Sequence, residues 1–184
     1  MEIELEQVQL HSMLLDPARR DEGFRRLMAK YGERMYWHIR RIVVGHDDAE
    51  DVLQETCIKI LSAIDSLKAS DKLMVWIYSI ATRESLRHLR RQTQFFQSID
   101  TLGPVLAGKL EAENPIDGQT IEMIFQKALI TLPTQQRIAF NMRYYDNMSY
   151  EEIAAVTGKN VGTLKTNYHY ASEKIRKLVT NDSI

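Results

Sequence analysis

The sequence predicts an all-α protein in which a linker joins two small helical domains. Apolar residues recur every three or four positions through most of the 184 residues, which is the spacing of amphipathic helices. No stretch alternates apolar and polar residues between turn signals, as strands do. The eight glycines and four prolines are few, and several of them fall between residues 95 and 119. Helices therefore dominate, and the one long interruption separates the two domains.

The N-terminal domain, residues 1–94, is predicted to contain one loose helix and three regular ones. The loose helix comes from the mixed polarity of the first 15 residues. Asp16-Pro17 marks the start of the next helix, because proline suits a first helical turn. A turn at Gly45 and a polar loop before Lys72 separate the others. Apolar spacing places the regular helices at residues 17–42, 48–64 and 72–92.

Residues 95–120 break the helical pattern and are predicted to form a linker. Glycine and proline recur there among scattered acidic residues, and the length suits a connection between domains better than a loop within one. Helical spacing resumes at Ile121, and Pro133 opens another helix that ends at Tyr144. Residues 121–184 therefore form the second domain.

The second domain carries the signals of a helix-turn-helix. Ser149 can cap a short helix, and Glu152, three residues later, completes a capping box. Gly158 suits the positive φ of a tight turn, and Asn160 can cap the following helix. In a helix-turn-helix the second helix enters the DNA major groove. Any capped helical hairpin shares these signals, so the pattern alone does not decide between the two readings.

The second helix of this motif is predicted to run to about Leu178 with one buried and one exposed face. Val161, Leu164 and Ala171 belong to an apolar stripe with steps of three and four. The residues left outside the stripe are hydrogen-bonding side chains of moderate length, which suit base edges and phosphates. They are Thr163, Lys165, Thr166, Asn167, His169 and Tyr170.

Composition excludes several classes of protein. With 44% hydrophobic and 27% charged residues, the chain is globular and not disordered. The single cysteine, Cys57, rules out an internal disulfide and a cysteine-based zinc site, and the five histidines lack the spacing of metal ligands. There is no phosphate-binding glycine loop and no G-x-S-x-G sequence. We therefore expect no catalytic residue, no cofactor and no metal.

Charge and hydropathy indicate location and partners. No apolar run reaches membrane-spanning length, and the acidic start does not resemble a signal peptide, so we expect no membrane insertion and a cytoplasmic location. The net charge is only −1, but basic residues cluster at 19–41 and 83–91 and acidic residues at 47–55. Separate surfaces of opposite sign can serve two partners of opposite charge.

Three stretches together resemble the extracytoplasmic-function group of bacterial sigma factors, the smallest class of RNA polymerase specificity subunit. They occur in the family's order and span about residues 23–178. The first is DAEDVLQET at 48–56, and the second is VWIYSIA at 75–81 with LRR at 89–91. The third combines LP at 132–133, RY at 143–144, SYEEIA at 149–154 and GTLKT at 162–166.

The resemblance implies a non-catalytic protein that binds core RNA polymerase, directs it to promoter DNA and helps to open the duplex. The N-terminal domain would bind polymerase and the minus-ten element, and the C-terminal domain the minus-thirty-five element. Many members are held inactive by an anti-sigma factor, so such a partner is expected. An acidic helix face is otherwise simply solvated. Here the resemblance implies polymerase docking by Asp48, Glu50, Asp51, Gln54 and Glu55.

The basic helix and the loop before it are the implied minus-ten contacts. The arginine fork suits phosphate, and family members use the loop to capture an unstacked base. On the basic helix Trp76 lies on the apolar stripe, whereas Tyr78 is the candidate for an exposed stacking platform. The implied contacts are Lys68, Ala69, Ser70 and Asp71 of the loop and Arg83, Arg87, Arg90 and Arg91 of the helix.

The chain departs from the family pattern on its expected reading surfaces, so no promoter sequence is predicted. Arg87 stands where aspartate is common, and Asn167 and Tyr170 stand where basic residues are common. The alternative to a sigma factor is a regulator that binds an operator as a dimer. That alternative leaves the acidic and basic helices unexplained, and such a regulator would bind duplex DNA without polymerase in a salt-dependent way.

Overall fold

The computed structural model describes residues 2–67, 72–92, 103–113 and 121–181. These segments are helical and contain no strand, which confirms the predicted all-α class. None of the helices described is long and apolar enough to cross a lipid bilayer. In chain order the helices are α1 (Glu2–Leu15), α2 (Arg20–Val43), α3 (His46–Ala63), α4 (Leu73–Gln92), α5 (Gly103–Glu113), α6 (Ile121–Ile130), α7 (Thr134–Tyr144), α8 (Tyr150–Thr157) and α9 (Val161–Asn181).

Helices α1 to α4 form an N-terminal unit around an apolar core. Leu27 of α2, Ile60 of α3 and Ile77 of α4 are fully buried in one cluster. Burying a side chain of this size contributes about 1.5–3 kcal/mol. Gly23 lets α1 cross α2 closely, because a Cβ at that position would lie 2.9 Å from Met13 Cβ. This packing sets the acidic helix α3 against the basic helix α4.

Helices α6 to α9 form a C-terminal unit with an aromatic centre. The Phe140 ring of α7 stacks on those of Tyr144 and Tyr168, with 5.2 and 5.4 Å between ring centroids. Ala171 and Ile175 of α9 are buried in the same cluster. Since these α9 side chains repeat at steps of three and four, the opposite face of α9 is left to solvent.

The helix-turn-helix of α8 and α9 is closed by the capping groups that the sequence predicts. Ser149 Oγ accepts from the Glu152 N–H (3.1 Å) and Glu152 Oε2 accepts from the Ser149 N–H (2.7 Å), which confirms the capping box. Gly158 ends α8 with a φ of 70°, where a Cβ would be strained. Asn160 Oδ1 accepts from the Thr163 N–H (2.7 Å) and caps α9.

Helix α5 lies within the stretch that the sequence predicts as the linker. Its Leu106 and Leu110, one turn apart, are buried in a cluster that contains side chains of both units. Lys109 of the same helix forms an ion pair with Asp48 of α3. The described part of the connection is therefore packed against the units that it joins.

The two units meet along a seam, in which α8 packs against α4 and α7 against α2. The apolar part of the seam is one buried cluster. It joins Ile39 and Ala81 of the N-terminal unit to Ile138, Met142 and Ile153 of the C-terminal unit. The hydrophobic effect therefore holds the units together as well as folding each of them.

The seam also contains buried polar groups. His38 Nδ1 donates to Asp146 Oδ2 (2.7 Å), and His38 Nε2 shares a hydrogen bond with Thr82 Oγ1 (2.9 Å). The Arg41 guanidinium lies 3.4 Å from Asp146 Oδ1 and 3.9 Å from the centre of the Tyr145 ring. The buried Asp146 carboxylate thus has two partners on the other unit, as a charge removed from water requires.

The end of α2 is capped by the C-terminal unit. Arg137 Nη2 donates to the Ile42 carbonyl oxygen (3.3 Å), and Asn141 Nδ2 donates to the Arg41 carbonyl oxygen (3.4 Å). The last carbonyls of a helix have no partner within it. The positive charge of Arg137 also suits the negative end of the helix dipole.

Candidate protein and nucleic-acid interfaces

The acidic face of α3 is not covered by the rest of the described chain. Glu50, Asp51, Gln54 and Glu55, four of the five residues predicted to bind polymerase, are exposed there. Ile58 continues the same face by one turn and is 54% exposed. Ile58 was not among the predicted contacts, although an apolar residue on the polar side of an amphipathic helix is a signal that the sequence contains.

The fifth predicted residue, Asp48, lies in an internal network. Its Oδ1 accepts from His88 Nε2 (2.9 Å) and Gln92 Nε2 (3.1 Å), and its Oδ2 pairs with Lys109. Burial acts to raise the pKa of this carboxyl, but the hydrogen bonds and charges of Lys109 and then His88 lower the pKa below its ordinary value. Asp48 therefore ties α3 to α4 and α5.

An aromatic cluster beside the start of α3 was also missed. The Tyr36 hydroxyl shares a hydrogen bond with His46 Nδ1 (2.7 Å), and His46 Nε2 lies 3.4 Å from Glu50 Oε1. Trp37 is 46% exposed, with its ring 5.3 Å from that of Tyr36. The available signal was that Trp37 falls off the apolar stripe of α2.

The four arginines predicted to contact minus-ten DNA do not share one environment. Arg87 turns toward α3, where its Nη2 lies 3.3 Å from Glu55 Oε2. The same Nη2 pairs with Glu84, which lies one turn earlier on α4 and is buried. The other three, Arg83, Arg90 and Arg91, are exposed.

Two further predictions concern the surroundings of α4. The loop contacts, residues 68–71, lie outside the part of the chain that the structure describes. The predicted exposure of Tyr78 is wrong, because the side chain is 3% exposed and its ring lies 4.7 Å from that of His38 in the seam. Burial and then the charge of Asp146 raise the pKa of Tyr78 to about 12. The local sequence around Tyr78 could not predict this burial, because the residues that cover the side chain belong partly to the other unit.

The outer face of α9 collects the residues predicted to bind minus-thirty-five DNA. Tyr170 is 59% exposed, and its ring lies 5.8 Å from that of His169. The Thr166 hydroxyl donates back to the Gly162 carbonyl oxygen (3.0 Å). Five of the six residues are exposed and one is half-buried: Thr163, Lys165, Thr166, His169 and Tyr170, with Asn167 the half-buried one.

Two cations flank Tyr150 at the start of α8. The Arg143 guanidinium carbon lies 5.4 Å and Lys165 Nζ 5.7 Å from the centre of the Tyr150 ring. Arg143 Nη1 also donates to the Met148 carbonyl oxygen (2.9 Å), which fixes its position. Neither Arg143 nor Tyr150 was predicted from the sequence to bind DNA. The two cations extend the polar face of α9 toward the start of α8, and their positive charge suits a DNA phosphate.

Two family models match the chain. Sigma-70 region 2 matches residues 27–95, which include α3 and α4, and Sigma-70 region 4 matches residues 122–175, which include the helix-turn-helix. Together they cover 123 of the 184 residues. One match lies in each of the two units that meet at the seam.

Similar proteins of known function indicate which group of the sigma-70 family the chain resembles. The chain is 29% identical to the ECF RNA polymerase sigma-E factor of Salmonella typhimurium, over 84% of this chain and 85% of the relative. It is 24% identical to the ECF RNA polymerase sigma factor SigW of Bacillus subtilis, over 85% and 88%. The chain belongs to the extracytoplasmic-function group of the sigma-70 family. It is a sigma factor that directs transcription initiation by RNA polymerase, and sigma factors are non-catalytic subunits.

Solved structures show the same fold for this sigma factor. The chain is similar to the sigma factor RpoE of Bartonella quintana in complex with the anti-sigma factor NepR, with a TM-score of 0.67 and 21% identity over 85% of this chain and 96% of that one. It is also similar to CnrH in complex with the cytosolic domain of CnrY, with a TM-score of 0.66 and 21% identity over 97% of both chains.

Proposed function

We propose that this sigma factor docks on core RNA polymerase through the exposed face of α3 and binds promoter DNA with α4 and α9. The observation that carries the proposal is the uncovered row from Glu50 to Ile58. Its negative charge orients the encounter with a positively charged partner. Ile58 supplies an apolar contact, and desolvated apolar groups surrounded by polar ones contribute much of the affinity at protein interfaces.

The promoter surfaces are assigned to different units. The N-terminal unit, with residues 1–94, binds the minus-ten element, and the C-terminal unit, with residues 121–184, binds the minus-thirty-five element. Residues 95–120 connect them. Phosphate contacts fix the register and polar side chains read base edges. The assigned contacts are residues 68–71 with Arg83, Arg90 and Arg91 for the first element, and Arg143, Lys165, Thr163, Thr166, Asn167, His169 and Tyr170 for the second.

Location and regulation follow from the same assignment. The sigma factor acts where RNA polymerase acts, in the cytoplasm. We also assign it an anti-sigma factor as a partner, because the similar RpoE structure contains the anti-sigma factor NepR and the similar CnrH structure contains the cytosolic domain of CnrY. The residues that contact this partner are not assigned.

Charge reversal at Asp51 tests the docking of α3. Asp51 is exposed, so we expect Asp51→Lys to keep the fold and to weaken binding to core polymerase about tenfold, mostly through slower association. Glu33→Lys makes the same change of net charge at an exposed position of α2. Anisotropy of the labelled sigma factor, titrated with core polymerase, measures both affinities. Equal weakening by the two variants contradicts docking through α3.

Removal of Lys165 tests the role of α9. We expect Lys165→Ala to weaken promoter binding and to lower the slope of its salt dependence by about 1, as loss of one phosphate contact does, and to reduce run-off transcription most on templates that depend on the upstream element. Lys177→Ala removes an exposed lysine near the end of the same helix and serves as the control. An equal loss on every template indicates destabilisation and contradicts the assignment.

A further inference from the structure

We propose that Arg87 is a positioning residue for polymerase docking, which holds Glu55 in place and does not contact promoter phosphate. The proposal rests on the docking of α3 proposed above. Arg87 belongs to the basic helix α4, but its guanidinium reaches across to the acidic helix α3. It therefore connects the DNA-binding helix of the N-terminal unit to the polymerase-binding one.

The buried carboxylate of Glu84 commits Arg87 to this position. The Glu84 side chain is 8% exposed and pairs with Arg87 Nη2. A buried carboxylate needs a cation or donors, and removal of Arg87, whose side chain is 38% exposed, would leave the Glu84 charge uncompensated. If Arg87 swung out to a phosphate, Glu84 would be left without that cation. Arg83 and Arg91, on the same helix, are exposed and have no described carboxylate partner.

The same guanidinium leaves Glu55 able to bind a second cation. The Glu55 contact uses Oε2, at 3.3 Å from Arg87 Nη2. A carboxylate offers acceptor sites on both oxygens, so Oε1 remains available to a polymerase side chain. Because Arg87 restricts the rotamers of Glu55, less side-chain entropy is lost when polymerase binds.

The space around this pair admits a partner. A groove of about 320 Å³ runs between α3 and α4, lined by Asp51, Gln54 and Glu55 on one side and by Glu84, Arg87 and Arg91 on the other. A basic side chain that enters from the polymerase meets Asp51 and Glu55 together. Arg87 fixes one wall of this groove.

The test compares variants in which Glu84 is replaced by glutamine, so that no buried charge is stranded while the amide oxygen can still accept a hydrogen bond from Arg87. Glu84→Gln is the reference, and Glu84→Gln with Arg87→Ala is the test variant. We expect the test variant to bind core polymerase about three- to fivefold more weakly than the reference, the size expected for one exposed charge pair. Matching thermal midpoints and circular dichroism show that both variants fold.

Two further readouts separate positioning from a DNA contact or a purely structural role. When Glu55→Gln is added to the Glu84→Gln reference, removal of Arg87 should weaken polymerase binding no further. The salt dependence of promoter binding by the holoenzyme should keep its slope, whereas loss of a phosphate contact lowers the slope by about 0.7–0.9. Arg91→Ala is the matched control, for which we expect the lower slope.

Each outcome decides the proposal. Unchanged polymerase affinity, an additive effect with Glu55→Gln, or a lower salt slope in the test variant overturns it. If Asp51→Lys and Glu55→Gln also leave polymerase affinity unchanged, the docking of α3 itself fails. If those two weaken binding but the Arg87 variant does not, only the positioning role of Arg87 fails.

Discussion

The core of the N-terminal unit and the seam between the units are both buried, but their chemistry differs. The core is apolar, with Leu27, Ile60 and Ile77 fully inaccessible. The seam combines apolar contacts with the hydrogen-bonded pair of His38 and Asp146, and with side chains of α7 that cap α2. One region resembles the interior of a domain, and the other resembles a contact between domains.

This difference indicates which contacts can open. Apolar side chains leave a core only by exposing surface to water, at about 25 cal/mol per Å². Hydrogen-bonded groups regain partners in water, so each contributes only about 0.5–1.5 kcal/mol net. We therefore expect the seam to part at a lower free energy than either unit unfolds, as the less stable contacts of a protein do.

A cavity in the core should have the largest effect. Leu27 is 0% exposed, and Leu27→Ala should lower the free energy of unfolding by about 2–5 kcal/mol through lost burial and an unfilled cavity. Urea denaturation followed by far-ultraviolet circular dichroism measures this loss. Val8→Ala, at a side chain that is partly exposed on α1, is the control. A loss below about 1 kcal/mol would show that the core relaxes to fill the space.

Breaking the seam should have an intermediate effect of a different kind. Asp146→Ala removes the acceptor of His38 and Arg41 and leaves buried donors unpaired, which costs about 1–3 kcal/mol. We expect the units to separate without loss of helix, so the radius of gyration from X-ray scattering rises while circular dichroism is unchanged. Glu33→Ala, an exposed change on α2, should alter neither. An unchanged radius would mean that the apolar contacts alone hold the seam.

Neutralising Asp48 should have the smallest effect, and it depends on pH. The lowered pKa means that the carboxylate stabilises the folded chain fully above its ordinary pKa of 3.8 and loses this contribution as pH falls through the lowered value. We expect Asp48→Asn to cost less than about 1 kcal/mol at neutral pH. As the pH falls below about 4, this variant should lose less stability than the wild type, in urea titrations. If the free energy of unfolding fell equally with pH in the variant and the wild type, Asp48 would not contribute in this way.

The helix-turn-helix was predictable because neighbouring residues determine it. Ser149 and Glu152 are three positions apart, and Gly158 and Asn160 act within one turn. The exposed faces of α3 and α9 follow from spacing alone, since the apolar stripe of each helix defines its opposite side. Most of the candidate contacts on these two helices therefore lie where the sequence predicts.

The seam and the burial of Tyr78 could not be predicted, because they depend on contacts between residues far apart in the sequence. His38 and Asp146 are 108 positions apart, and the ring of Tyr78 packs against that of His38 in the same seam. The turn before α3 was predicted at Gly45, yet the positive φ of 71° falls on Val44. A β-branched residue adopts this conformation only where its surroundings impose it. Val44 is buried in the cluster shared by both units.

The seam also limits how far one molecule can reach. A compact chain of this length has a radius of gyration of about 16 Å and measures about 40 Å across. Promoter elements centred at minus ten and minus thirty-five are separated by about 25 base pairs, or about 85 Å of straight duplex. A closed molecule is too short to touch both. Under the assignment proposed above, simultaneous binding to both elements requires the polymerase to hold the two units apart, and the enzyme then sets the spacing between the elements.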